Sequence, residues 1–190
     1  LPITPLQILG INMVSSLCLA LALAFEPTEP DAMTRPPRSP DEAILSRFLV
    51  WRIVFVSALF LSGVFGAFGW ALAQGFEIEK ARTLAVNTLV IMEVFYLFSV
   101  RFLRTPSLTL QGVFGTPVVL ASVAAVVVLQ LLFTYAPFMG AFFETRPIGL
   151  AEAWPAIMAG VLLFLILEGE KAIRHRWDRN FLSTFARSTE

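Results

Sequence analysis

Asn12, Ser15 and Ser16 are spaced i, i+3 and i+4 within a long apolar stretch. On an α-helix that spacing gathers three oxygen-bearing side chains on one face. Lipid offers such groups no partners, so they must turn toward a protein interior or a bound solute. A fourth group, the carboxyl of Glu93, sits mid-way along another apolar run, where an ionised acid is costly unless paired. Together a carboxamide, two hydroxyls and a carboxylate are hard oxygen donors, and the chemistry they offer is ligation of a cation. The same residue types also fit a structural role, with Asn12 bonding across a helix interface and Ser15 and Ser16 bonding back to carbonyls one turn earlier. Spacing alone leaves both readings open for those three. Glu93 is harder to explain structurally, because acids at span centres are rare and by default functional. Tyr96, three residues on, is its nearest polar neighbour on the helix surface, while Asn87 lies on another part of it. Gln130 and Thr134, also i and i+4, read as an interhelical hydrogen-bonding pair.

The elements that position these groups follow from composition. Of 190 residues, 57% are apolar and 15% charged, far from the roughly one-quarter charged fraction of soluble domains. The mean hydropathy of +0.76 marks an integral membrane protein. Its apolar runs are about as long as a helix needs to cross the ~30 Å hydrocarbon core and lack barrel-strand alternation. The expected fold is an all-α membrane protein, a bundle of five transmembrane helices over roughly residues 3–24, 51–73, 83–100, 117–136 and 151–169. Eleven basic residues (Arg35, Arg38, Arg47, Arg52, Arg101, Arg104, Lys171, Arg174, Arg176, Arg179 and Arg187) fall on one side of these spans, against Lys80, Arg82 and Arg146 on the other. That asymmetry places the first connection and the C-terminus in the cytoplasm and the N-terminus outside. Cys18 is the sole cysteine, so an intrachain disulfide is excluded, and the zero formal net charge gives no reason to expect nucleic acid as a partner.

The connection after the first span carries Pro27, Pro30, Pro36, Pro37 and Pro40 and reads as a stiff, solvated linker. A short link near residues 74–82 makes the second and third helices antiparallel neighbours. Pro137, Gly140, Pro147 and Gly149 break the longer link after Tyr135, whose paired Phe142 and Phe143 suit the membrane interface. Ser62 with Gly66 and Gly63 with Ala67 form small-x-x-x-small pairs, read as a packing face. Trp51, Trp70, Tyr135 and Trp154 near span ends read as interfacial anchors. Lys171, Arg174, Arg176 and Arg179 around His175 suit anionic headgroups, with Trp177 and Phe181 dipping into the interface.

The opening LPITPLQILGINMVSSLCLALALAFEPTEPDAMTRPPR resembles the sixth transmembrane helix and following loop of cation-transporting P-type ATPases, the group that includes calcium and sodium/potassium pumps. TLAVNTLVIMEVFYLFSVRF looks like the eighth helix of that family with its buried Glu, and FLILEGEKAIRHR like the tenth. The resemblance covers nearly the whole chain and implies that its five spans are family helices six to ten. In calcium pumps the sixth helix supplies an Asn and, three and four residues later, a Thr and an Asp as ion ligands. These match Asn12, Ser15 and Ser16, with a hydroxyl where the family has the carboxylate, and Glu93 matches the eighth-helix Glu. The reduced charge suits a monovalent ion or a proton.

What the resemblance implies is a pump in which phosphorylation of a cytoplasmic Asp drives alternating access. No D-K-T-G motif and no nucleotide-binding domain is present, so this stretch alone is expected not to hydrolyse ATP. ATP and magnesium would act only through upstream domains. The expected partners are membrane lipid, the N-terminal part of the same pump and the transported cation, in a bacterial inner membrane. The absence of a Met before Leu1 and of a signal-peptide pattern suggests the back end of something longer. The contrasting expectation is a non-pumping membrane subunit, or half of a channel or secondary transporter, whose polar cluster only joins helices.

Overall fold

A computed structural model describes residues 1–25, 47–101 and 117–187, apart from the side chains of residues 16, 17, 19, 21, 23, 101 and 174–187. Every regular element among the described residues is helical. Helix α1 (Pro5–Ile11) runs through a π-helical turn (Asn12–Ser16) into α2 (Leu17–Ala24). Then come α3 (Arg47–Ala73), α4 (Ile78–Arg101), α5 (Pro117–Tyr135), the short α6 (Pro137–Phe143), a 3₁₀ turn (Leu150–Glu152) and α7 (Trp154–Arg187).

Local sequence explains the helix ends. At the start of α1, Thr4 Oγ1 accepts from the Gln7 N–H at 3.3 Å while Gln7 Oε1 accepts from the Thr4 N–H at 3.0 Å. This is a reciprocal capping box with Pro5 just inside the helix, where its missing N–H costs nothing. At the end of α3, Gly75 adopts φ +79°, a conformation side-chain-bearing residues avoid. The Phe76 N–H then reaches Ala71 O at 3.1 Å and the Gly75 N–H reaches Leu72 O at 3.0 Å. That left-handed stop reverses the chain and makes α3 and α4 packed neighbours.

Helices α3, α4 and α5 are each long and apolar enough to cross a bilayer. The π turn divides the opening helix, and the apolar run of α7 ends at Glu168, Glu170 and Lys171. Half of the apolar stretch of α4 is buried, against 17% of α3 and 22% of α5, because α4 touches α1, α2, α3, α5 and α7. It is the hub, with Leu84, Ala85 and Val86 fully enclosed.

Close helix contacts need missing side chains. A Cβ on Gly160 of α7 would lie 2.5 Å from Phe95 and 2.8 Å from Ile91 of α4, and one on Gly63 of α3 would lie 2.5 Å from Met92. The small-residue stripe of α3 therefore packs only in part. Gly63 and Ala67 face α4 and its neighbours, but Ser62 is exposed and donates to Ala58 O at 2.7 Å, and Gly66 and Gly69 meet nothing within 4 Å. The stripe continues along the helix past the surface that the partner covers, which sequence spacing does not reveal.

Aromatic rings stand at the helix ends as expected. Trp70 meets Trp154 edge to face at 5.5 Å, Trp51 stacks on Phe55 at 5.0 Å, and the Tyr135 hydroxyl donates to Ile148 O at 2.7 Å. Phe142 is exposed, whereas Phe143 turns inward against Phe133 at 5.1 Å and beneath Gly10. Its carbonyl accepts from Gln7 Nε2 at 2.9 Å, tying the fully buried Gln7 of α1 to α6. The proline-rich linker and the side chains around His175 lie outside the described residues.

Candidate cation site

Helix α1 enters the bundle on its capping box and loses regular geometry at Asn12. A π turn rotates the chain by a smaller angle per residue than an α turn, so positions three apart no longer stack. The expected common face is consequently divided. Ser15 is 2% exposed and turned into the bundle, while Asn12 is exposed. The backbone of Ser16 completes the turn, and its side chain lies outside the described set.

Ser15 and Glu93 come together. The Ser15 hydroxyl donates to Ile11 O at 2.9 Å, one turn back, and also engages the Glu93 carboxyl across the interface between the opening helix and α4. Glu93 Oε2 is buried and has no hydrogen-bond partner. A buried acceptor without a partner costs free energy, about 1–3 kcal/mol for a neutral group and more for a charged one, so a ligand donating to or coordinating this oxygen would recover that cost. Among the described residues no three His, Cys, Asp or Glu side chains cluster as a metal group. The carboxyl of Glu93 and the hydroxyl of Ser15 are thus two oxygens from two helices, and a hard cation's remaining ligands must come from elsewhere. A cavity of about 130 Å³ beside Ser15 is lined by Gly10, Ser15, Val90, Gln130 and Phe143 among others.

Other polar groups have structural partners. Tyr96 meets Phe60 edge-on at 5.9 Å and packs against the cluster of Val56, Met92, Leu163 and Leu167. Asn87 Oδ1 accepts from Gln130 Nε2 and Thr134 Oγ1, both at 3.2 Å, and Asn87 Nδ2 donates to Thr83 O at 2.9 Å. Gln130 and Thr134 are therefore an interhelical pair, as their spacing suggested, and Asn87 is their partner on α4.

Sequence reasoning missed a second polar cluster at the other end of α4. Lys171 Nζ donates to Glu168 Oε1 at 2.6 Å and to Ser99 O at 2.5 Å, and the buried Arg52 of α3 stands within electrostatic reach of Lys171. Its signal was the E-x-x-K spacing of Glu168 and Lys171, one turn apart at the end of an apolar run.

The family profile described as cation transporting ATPase, C-terminus, matches residues 1–173. Over 159 residues, 84% of this chain and 17% of the relative, the sequence is 43% identical to Probable cation-transporting ATPase F of Mycobacterium bovis. It is 34% identical over 152 residues to Cation-transporting ATPase pma1 of Synechocystis, covering 77% of this chain and 17% of that protein. It is 31% identical over 148 residues to Calcium-transporting ATPase of Bacillus subtilis, covering 76% and 16%. The chain spans about a sixth of the length of these curated relatives.

Proposed function

The chain belongs to the cation-transporting P-type ATPases, as part of their C-terminal membrane region, and we propose that it is the membrane-embedded module supplying part of the site for the transported cation. Residues 1–190 act as one transmembrane domain within a longer pump. The opening helix and α7 cross the bilayer along with α3, α4 and α5, making five spans. The 20 residues from Pro5 to Ala24 rise about 30 Å, enough to cross the hydrocarbon core. The basic asymmetry sets the N-terminus outside and the C-terminus inside, and the bacterial relatives suit an inner membrane. ATP and magnesium act on the remainder of the pump, and coupling reaches this module as helix movement.

One observation carries the reading: a buried carboxylate oxygen on α4, without a partner, beside a hydroxyl presented by a π turn. Such turns occur often at functional sites, because the widened turn frees backbone and side-chain oxygens. Glu93 supplies the charged ligand and Ser15 a neutral one. Asn12 and Ser16 join them from the same turn, the exposed Asn12 facing the helices that precede this module in the pump. Replacing Glu93 or Asn12 by Ala in the full-length pump tests the assignment. Cation-stimulated ATPase activity should fall at least about tenfold at sub-saturating cation, the cost of one lost charge-assisted ligand. Unchanged stimulation would reject these residues as ligands.

A further inference from the structure

The hydrogen bonds between α4 and α5 fix which way one amide faces. Thr83 O is a backbone carbonyl and can only accept, and it receives Asn87 Nδ2 at 2.9 Å. Asn87 Oδ1 is therefore the arm turned to α5, where it requires a donor, and Gln130 Nε2 supplies one at 3.2 Å. Both arms of the Gln130 amide are thereby assigned, with the nitrogen toward Asn87 and Oε1 away from it. Among the described residues, Oε1 receives no hydrogen bond.

Two cavities meet at this side chain. Asn87 and Gln130 line one of about 230 Å³ between α4 and α5, whereas Ser15 and Gln130 line the other, of about 130 Å³, between the opening helix and α5. Gln130 stands at the wall between them, held by its nitrogen on the side of Asn87. The cavity it shares with Ser15 far exceeds the ~10–15 Å³ that one water requires, and its other lining side chains are all apolar. The single Ser15 proton is spent on Ile11 O or on the Glu93 carboxyl. The hydroxyl, like the amide Oε1, then has lone pairs to offer. Two acceptors on the walls of an otherwise apolar chamber are satisfied only by something positive or donating between them.

We infer that Gln130 is a further ligand of the transported cation, its Oε1 facing Ser15 across this cavity. The inference rests on the assignment of Glu93 and Ser15 to the cation site, and it brings α5 into that site beside the opening helix and α4. An amide oxygen is a hard, neutral donor, so it raises the coordination number without adding charge. Asn87 and Thr83 are positioning residues, because their hydrogen bonds present the oxygen of Gln130 to the cavity and keep the nitrogen out of it.

The test titrates the purified full-length pump with calcium, manganese and sodium in turn, as wild type, Gln130→Leu, Gln130→Glu and Glu93→Gln. Gln130→Leu should hold the wild type's cation about fivefold more weakly, through the loss of one neutral oxygen. Gln130→Glu puts a carboxylate at the same reach and should raise affinity for the divalent ions relative to sodium by about tenfold. If Glu93→Gln weakens binding while Gln130→Leu keeps the wild-type curve, Gln130 only joins two helices and this proposal alone fails, even where the variant melts lower. If Glu93→Gln also binds as the wild type does, the cation site itself is misassigned and the proposal falls with it. Should Gln130→Leu not fold, Gln130→Glu decides, and an unchanged ratio of divalent to sodium affinity overturns the role of Gln130.

Discussion

Gly160 and Gly66 share a residue type and a helical setting, and what faces each gives substitution opposite consequences. A methyl group on Gly160 meets Phe95 and Ile91 well inside contact distance, so α7 must move off α4. Gly160→Ala should destabilise the bundle by about 1–3 kcal/mol, the usual cost of overpacking. Gly66→Ala meets nothing within 4 Å and should be neutral or slightly stabilising, since Ala is the better helix former. Unfolding of both variants in mixed detergent micelles checks the contrast. The small stripe of α3 drew attention in the sequence through its spacing, yet a lone glycine in α7 is approached as closely, at 2.5 Å, as Gly63 of that stripe. Spacing reports a pattern along one helix, whereas the need for glycine is set by the ring on another. Ser15 and Asn12 teach the same lesson, because their α-helical spacing is legible but the π turn that separates them has no signature in NMVSS.

Among the elements, α4 is held to α5 by Asn87, which engages both Gln130 and Thr134. Asn87→Leu removes those bonds and leaves two polar side chains facing an alkyl group, so a loss of about 0.6–2 kcal/mol is expected in the same unfolding assay. The pairing of Gln130 with Thr134 and the capping of α1 were legible because both obey local spacing rules. The Schellman end at Gly75 fits the short link that made α3 and α4 antiparallel neighbours. The Arg52 cluster escaped notice because its members come from three helices far apart in sequence. At the first turn of α4, Lys80 Nζ lies 2.6 Å from Glu152, whose other oxygen accepts from the Gly149 N–H at 2.7 Å. The Lys80 ammonium first, and that backbone donor second, hold the Glu152 carboxyl below its usual range. A depressed acid contributes its stability above the unfolded carboxylate value and loses it as pH falls through the folded one. Hydrogen exchange at the Gly149 amide should therefore quicken, after correction for intrinsic rates, as pH drops below about 4 in the wild type. In Glu152→Gln the corrected rate should already be fast and insensitive to pH over that window.

For the whole molecule, the all-helical membrane architecture and the family were legible in composition and in the opening motif. The number of crossings was less so, because three helices qualify by length and apolarity alone. The proposed orientation makes a direct prediction. In a Cys18→Ser background, a cysteine at Gln74 should react with a membrane-impermeant thiol reagent from the extracytoplasmic side of intact cells. One at Ser188 should react only after the membrane is opened. Reaction of both from the same side would imply an even number of crossings and overturn the five-span topology.

The central claim is that Glu93 and Ser15 hold the transported ion, and equilibrium binding measures it most directly. The purified full-length pump is titrated with calcium, manganese and sodium in turn, as wild type, Glu93→Gln and Ser15→Ala. The account predicts that the cation bound by the wild type is held at least about tenfold more weakly by Glu93→Gln and less severely weakened by Ser15→Ala. An identical binding curve for the wild type and Glu93→Gln would contradict it.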